Sequence, residues 1–205
     1  KPYYTDYSKP ESKFTPVILN FYVDNQKNFW YANNFWMDKI SFFPNASQLT
    51  TFDSGHETRA IMVDKQQNLW VANKKGVIRI FNPDKTLKGY LTPEGTISPK
   101  AISFSRNIYC FTEDEQGNIW MGSKWDGIIR LSPKRDGSFQ IRNYVHKEED
   151  PYSLSNNSIY CIYQDSKKRM WIATHGGGIN LLQEMADGEI RFLHNGNLLK
   201  DYSRD

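Results

Sequence analysis

The sequence predicts an all-β fold built as a tandem array of four four-stranded antiparallel blades, and three observations predict it. Trp30, Trp70, Trp120 and Trp171 each follow an aspartate by six positions, namely Asp24, Asp64, Asp114 and Asp165. The four segments read DNQKNFWYAN, DKQQNLWVAN, DEQGNIWMGS and DSKKRMWIAT, with Trp-to-Trp spacings of 40, 50 and 51 residues. A period of that size marks a supersecondary unit copied along the chain. Aromatic content is 15%, with 13 Gly and 9 Pro in 205 residues, a composition of short strands and turns rather than long helices. Within each copy, β-branched and aromatic runs alternate with polar turn residues, the pattern of a meander.

The elements follow in chain order. Residues 1–24 lie without gaps on 142–165, so Tyr3 matches Tyr144 and residues 1–7 read as the last strand of a preceding blade. Blades are expected at 16–53, 58–91, 107–145 and 158–194, with 195–205 leading toward a next blade. In copy three the strands are expected at Asn107–Glu113, Asn118–Ser123, Gly127–Ser132 and Ser138–Val145. In copy four they are SIYCIYQ, RMWIAT, GINLL and EIRFLH, separated by Asp165–Lys168, His175–Gly177 and Ala186–Gly188. A four-stranded sheet repeated in tandem is the blade of a β-propeller. Four blades plus an orphan strand read as one partial propeller, a slice of a ring of about seven blades within the usual range. Each Asp is expected to accept bonds from backbone N–H groups two and three residues on. Gly117 supplies a position free to take positive φ, and each Trp fills the gap between blades. These residues build the fold and are not site residues.

The fourth copy, SLSNNSIYCIYQDSKKRMWIATHGGGINLL, is similar to the two-component regulator propeller repeat. Asn157, Ser158, Tyr160, Asp165, Trp171, Thr174, Gly177, Gly178 and Asn180 carry the match. Copy three retains Asn107, Tyr109, Asp114, Gly117, Asn118, Trp120, Gly122 and Gly127. The resemblance implies the periplasmic sensor of a hybrid two-component histidine kinase of gut bacteria, reporting oligosaccharides. Its implied partners are an oligosaccharide ligand and the remaining blades and kinase domains of the same protein. The pattern belongs to the scaffold and transfers no ligand-binding residue.

Charge and composition narrow the classes. The net charge of +3 comes from scattered lysines, which does not make a nucleic-acid surface. No apolar run approaches a membrane span of about 18 residues. The first residues lack a charged segment followed by an apolar one, so a signal peptide is expected to be absent or removed. His56, His146, His175 and His194 show no ligand spacing, and neither a metal nor a cofactor is expected. Cys110 and Cys161 both lie four before the repeat Asp, so their side chains share a direction rather than face each other. They read as two buried thiols on inner strands, not a disulfide.

Strand parity selects a candidate binding face. If the first strand of each blade runs toward one face, the turns after strands two and four lie on the other. Those turns carry Trp36, then Lys74 and Lys75, then Lys124, Trp125 and Asp126, then His175. The inter-blade connections add His56, Glu57, Arg59, Arg106, Asn156 and Asn157. Exposed indoles beside cations suit sugars bearing carboxylates or sulfates. The competing reading has Trp125 and Trp36 tucked against a neighbouring blade and the lysines as solvated loop charges. A catalytic site would need carboxylates or a His base converging on one cleft, whereas His56, Glu57, Asp126 and His175 are spread over several blades. The expectation is a non-catalytic oligosaccharide sensor. The alternatives are a protein-interaction scaffold and, behind it, a glycan lyase or hydrolase. An incomplete ring would also expose apolar faces and strand edges, inviting contact between copies, such as a homodimer.

Overall fold

The computed structural model describes residues 20–24, 27–32, 36–43, 46–53 and 56–199. The orphan strand expected at 1–7 and the end of the connection expected at 195–205 lie outside the described residues. Strands β1 Asn20–Val23, β2 Phe29–Ala32, β3 Trp36–Phe43 and β4 Ala46–Asp53 make the first sheet. The second holds β5 Thr58–Val63, β6 Leu69–Asn73, β7 Ile78–Phe81, β8 Leu87–Leu91 and a short β9 Ile97–Ser98. The third holds β10 Ile108–Glu113, β11 Ile119–Ser123, β12 Ile128–Pro133 and β13 Phe139–Tyr144. The fourth holds β14 Ile159–Gln164, β15 Met170–Thr174, β16 Gly178–Glu184 and β17 Ile190–His194. Neighbours pair antiparallel in chain order throughout, and no helix occurs among the described residues. The chain is a stack of propeller blades. The fifth strand of the second sheet is an addition the repeat pattern did not predict.

The repeat Asp does more than cap a turn. Asp114 Oδ1 accepts the Asn118 backbone N–H at 2.8 Å, and its Oδ2 accepts Asn118 Nδ2 and Trp120 Nε1, both at 2.8 Å. Asp24 and Asp64 repeat all three bonds with Asn28 and Trp30 and with Asn68 and Trp70. In the fourth copy Arg169 Nε takes the amide's place, at 2.7 Å from Asp165 Oδ2, beside Trp171 Nε1 at 3.0 Å. The backbone donors are therefore two residues on, as expected, at Gln116 and Lys167, and four residues on, in place of three, in all four copies. The cause is a left-handed residue three after the Asp: Lys27, Gln67, Gly117 and Lys168 all have positive φ. That residue re-aims the following N–H onto the carboxylate.

Inner strands β1, β5, β10 and β14 lie side by side in that order, and the core sits between blades. Trp30 packs with Ile61, Val63 and Val71 of the second blade. Trp70 meets Phe111 and Phe139 of the third at ring distances of 6.3 and 5.7 Å. Trp120 stacks on Tyr144 and shares a core with Leu154, Ile162 and Phe192. These three indoles are buried, whereas Trp171 is only half-buried. Phe21 on β1 is 64% exposed and Tyr163 on β14 is 61% exposed. Among the described residues, the first and last blades thus turn apolar faces to solvent, as the ends of a partial propeller do. The exposed face of the last blade corrects the reading of Cys161 as a buried thiol. Both cysteines are free, and Cys110 is half-buried as a residue but has its Sγ enclosed against the core between the third and fourth blades. Burial, and secondarily the neighbouring Cys161, pushes the Cys110 thiol up to about 12.

Candidate functional site

The turn after the second strand of the second, third and fourth blades is built by one backbone device. Lys74 N–H donates to Glu57 O, Lys124 N–H to Asn107 O, and His175 N–H to Ser158 O, at 2.8 to 2.9 Å. Each bond ties the turn to the start of its blade's inner strand. In the third blade the turn is closed further by Ser123 Oγ, which donates to Gly127 O at 2.9 Å and accepts Asp126 N–H at 2.7 Å. Ser158 Oγ donates to Lys124 O, and Gly127 N–H donates to Asn157 O, so this turn is bolted to the fourth blade.

On that frame Trp125 is 65% exposed, with Lys124 Nζ 5.0 Å from its ring centroid. Lys74, Lys75 and His175 are also exposed, and Asp126 is half-buried. Lys74 Nζ is 3.2 Å from Glu57, which also pairs with Arg59 at 2.8 Å. Trp36 opens β3, its backbone opposite Asp53. The structure therefore joins Lys124 to Trp125, and it joins Lys74 to Glu57 and Arg59. His175 belongs instead to a different set of contacts.

That set was not foreseen in the sequence. The pairing of first and second strands slips at one place in three blades, between Thr58 and Ala60, Ile108 and Cys110, and Ile159 and Cys161. The extra residue is Arg59, Tyr109 or Tyr160, each five before its Asp. A bulge frees such a residue from the pairing and re-aims its side chain. The Arg59 guanidinium lies 5.5 Å from the Tyr109 ring. Tyr109 stacks on Tyr160 at 6.0 Å, and Tyr160 meets His175 at 5.5 Å. Shared spacing from the Asp was the available signal. Strict strand alternation hid it, because an inserted residue breaks the period of two.

A cleft of about 300 Å³ lies between the second and third blades beside the Asp turns. Lys88, Glu113 and Lys134 are among its charged lining residues, with Trp70 and Phe139 among its apolar ones. Burial holds the Glu113 carboxyl above its ordinary value, although Lys65 N–H donates to it at 2.6 Å. Among the described residues no three of His, Cys, Asp and Glu are grouped as metal ligands.

Comparison with known proteins agrees with this architecture. Over 149 residues, 70% of the chain, the sequence is 30% identical to histidine kinase P4 of Formosa agariphila. The chain spans only 10% of the length of that kinase. Its fold resembles the extracellular domain of BT4673 of B. thetaiotaomicron, described as a one component system. The TM-score is 0.61 at 16% identity, covering 87% of this chain and 22% of that one. It also resembles the extracellular domain of BT3049, described as a hybrid two component system of the same organism. There the TM-score is 0.52 at 17% identity, covering 96% of this chain and 36% of that one. Identities this low speak for the fold alone. The sequence pattern of the two-component regulator propeller matches residues 103–125 and 153–176, the turn-bearing segments of the third and fourth blades. The chain therefore carries two-component regulator propeller repeats.

Proposed function

We propose that this chain is part of the periplasmic sensor of a hybrid two-component system, a non-catalytic propeller that binds an oligosaccharide and signals to a histidine kinase. The regulator repeats and the likeness to histidine kinase P4 support attachment to a kinase. The two structural neighbours, both extracellular domains, support a location outside the cytoplasm. One observation carries the ligand class: the Trp125 indole is 65% exposed, with the Lys124 ammonium at its ring. The backbone that bears the indole is held by Ser123 and bolted to the next blade, which fixes where the exposed ring is attached before any ligand arrives. An indole offers an apolar surface to sugar C–H groups, and a cation beside it favours carboxylated or sulfated sugars.

Titration calorimetry with pools of acidic and neutral oligosaccharides tests this reading. Stacking on one ring is worth on the order of 1 kcal/mol or slightly more. Trp125→Ala should therefore weaken binding roughly tenfold. Unchanged affinity in that variant would remove Trp125 from the site. Failure of the parent protein to bind either pool would remove the ligand class.

A further inference from the structure

The row of Arg59, Tyr109, Tyr160 and His175 crosses the two seams between the second, third and fourth blades. We propose that this row is a track along which an acidic oligosaccharide lies, so that one ligand engages three blades at once. The proposal rests on the oligosaccharide reading above and moves the centre of the site from Trp125 to the inner strands.

Three features support it. First, Arg59, Tyr109 and Tyr160 occupy the same position of successive repeats, and the same bulge frees each of them. A bulge re-aims a side chain and ends local pairing, and its repetition in three blades builds a line rather than a scattered set. Second, the line is continuous: the contacts are 5.5, 6.0 and 5.5 Å from guanidinium to ring to ring to imidazole. Tyr160 is 53% exposed, leaving ring surface beyond what Tyr109 and His175 cover. A phenol presents an apolar body to sugar C–H groups and a hydroxyl that both donates and accepts. Third, Lys74 and Lys124 place cations beside the row. With the imidazole of His175 they stand at equivalent places in the three turns, all ten after the repeat Asp. Of the two nearby carboxylates, Glu57 is paired with Arg59 and Lys74, and Asp126 lies in the Trp125 turn. A row of phenols edged by cations complements a chain of carboxylated or sulfated sugars better than a neutral one.

The track predicts which substitutions remove the stabilisation that a ligand confers. A ligand on it binds the folded blades and not the unfolded chain, so it raises the melting temperature as its concentration rises, and loss of Tyr160 rather than of Trp125 alone removes that shift. The test is calorimetry and thermal melting of the protein with two pools, one of galacturonate, glucuronate and sulfated oligomers and one of neutral oligomers. Tyr160→Ala, Tyr160→Phe and His175→Ala are compared with the parent after far-UV circular dichroism shows an unchanged fold. Both positions are exposed, so the substitutions spare the core. Tyr160→Ala should weaken acidic-pool binding about tenfold or more and abolish most of the melting shift. Tyr160→Phe, which keeps the ring, should retain most of the affinity. His175→Ala should weaken the acidic pool and leave any neutral binding alone. Added salt should weaken acidic-pool binding, since exposed charges are screened beyond about 10 Å at 0.1 M. If Tyr160→Ala and His175→Ala bind the acidic pool as the parent does while Trp125→Ala does not, the track is wrong and the sensor reading stands. If the parent binds neither pool, the oligosaccharide reading fails and the track fails with it.

Discussion

Asp114 is buried and gathers three donors at 2.8 Å, from Asn118 N, Asn118 Nδ2 and Trp120 Nε1. A buried charge persists only when it is hydrogen-bonded, and a buried indole N–H needs an acceptor. One side chain meets both needs, which explains why Asp and Trp recur together at a fixed distance. Asp114→Ala strands those donors in the third blade, where water has little access, and should cost about 3 kcal/mol. The equivalent Asp165→Ala should cost distinctly less, because water can replace a carboxylate whose partners are partly exposed. Its partner Arg169 is 48% exposed and Trp171 is half-buried. Urea midpoints of the two variants measure the difference. Equal losses would mean that the network acts through turn geometry, not through burial of its donors. The Trp171 indole N–H, and after it the Arg169 backbone N–H and guanidinium, hold the Asp165 carboxyl well below the usual carboxylate range, so it stays charged across ordinary pH.

Between strands, the pairing of inner and second strands shows how close the blades approach. The facing pairs are Ala60 with Ala72, Cys110 with Gly122, and Cys161 with Ala173. A Cβ built on Gly122 would stand 2.5 Å from Cys110 Sγ and 2.6 Å from Ile159 Cγ2. The larger Cys is thus matched by the smaller Gly where the next blade presses on the pair. Gly122→Ala should destabilise by about 2 kcal/mol through overpacking, even though Ala stands at this place in the three other copies, as Ala32, Ala72 and Ala173. Adding Cys110→Ala should recover about 1 kcal/mol of it, leaving the Ile159 contact unrelieved. A double-mutant cycle by chemical denaturation reads that coupling, and additive losses would refute the pairing argument. The blades themselves were legible in the sequence, since second strands begin at Phe29, Leu69, Ile119 and Met170, each two after the Asp-turn's left-handed residue. Less legible was the turn conformation, because Lys27, Gln67 and Lys168 adopt positive φ without being Gly, held there by the Asp network. The row of Arg59, Tyr109 and Tyr160 was hidden by the bulge, and the exposure of Cys161 by an open face that no local pattern encodes. Of the candidate site, the position of Trp125 on an exposed turn was readable; the contacts that link His175 to Tyr160 were not.

At the scale of the whole molecule, each of the first three blades buries its Trp against the blade that follows it, which makes stability a property of seams rather than of single sheets. Trp30, Trp70 and Trp120 each have such a neighbour, and Trp171 is left half-buried. The opposite end presents Phe21 and Val23 at 64% and 49% exposure. An apolar sheet face of this kind, next to an open strand edge, favours association. The two ends are complementary in kind, because one shows the side of a blade that normally receives a Trp and the other shows a Trp side unreceived. Head-to-tail contact between copies would bury both, a heterologous contact that closes into a ring or continues as a chain according to its rotation. Sedimentation velocity across a concentration series should therefore show reversible association of this chain. Phe21→Ser with Tyr163→Ser removes the most exposed ring from each end, at 64% and 61%, and should shift the series toward monomer. The same pair of substitutions should leave Trp125-dependent oligosaccharide binding intact, because neither residue lies on the turn face. A parent protein that stays monomeric at high concentration would show that these faces are covered within the chain, and the open-ended ring would have to be abandoned.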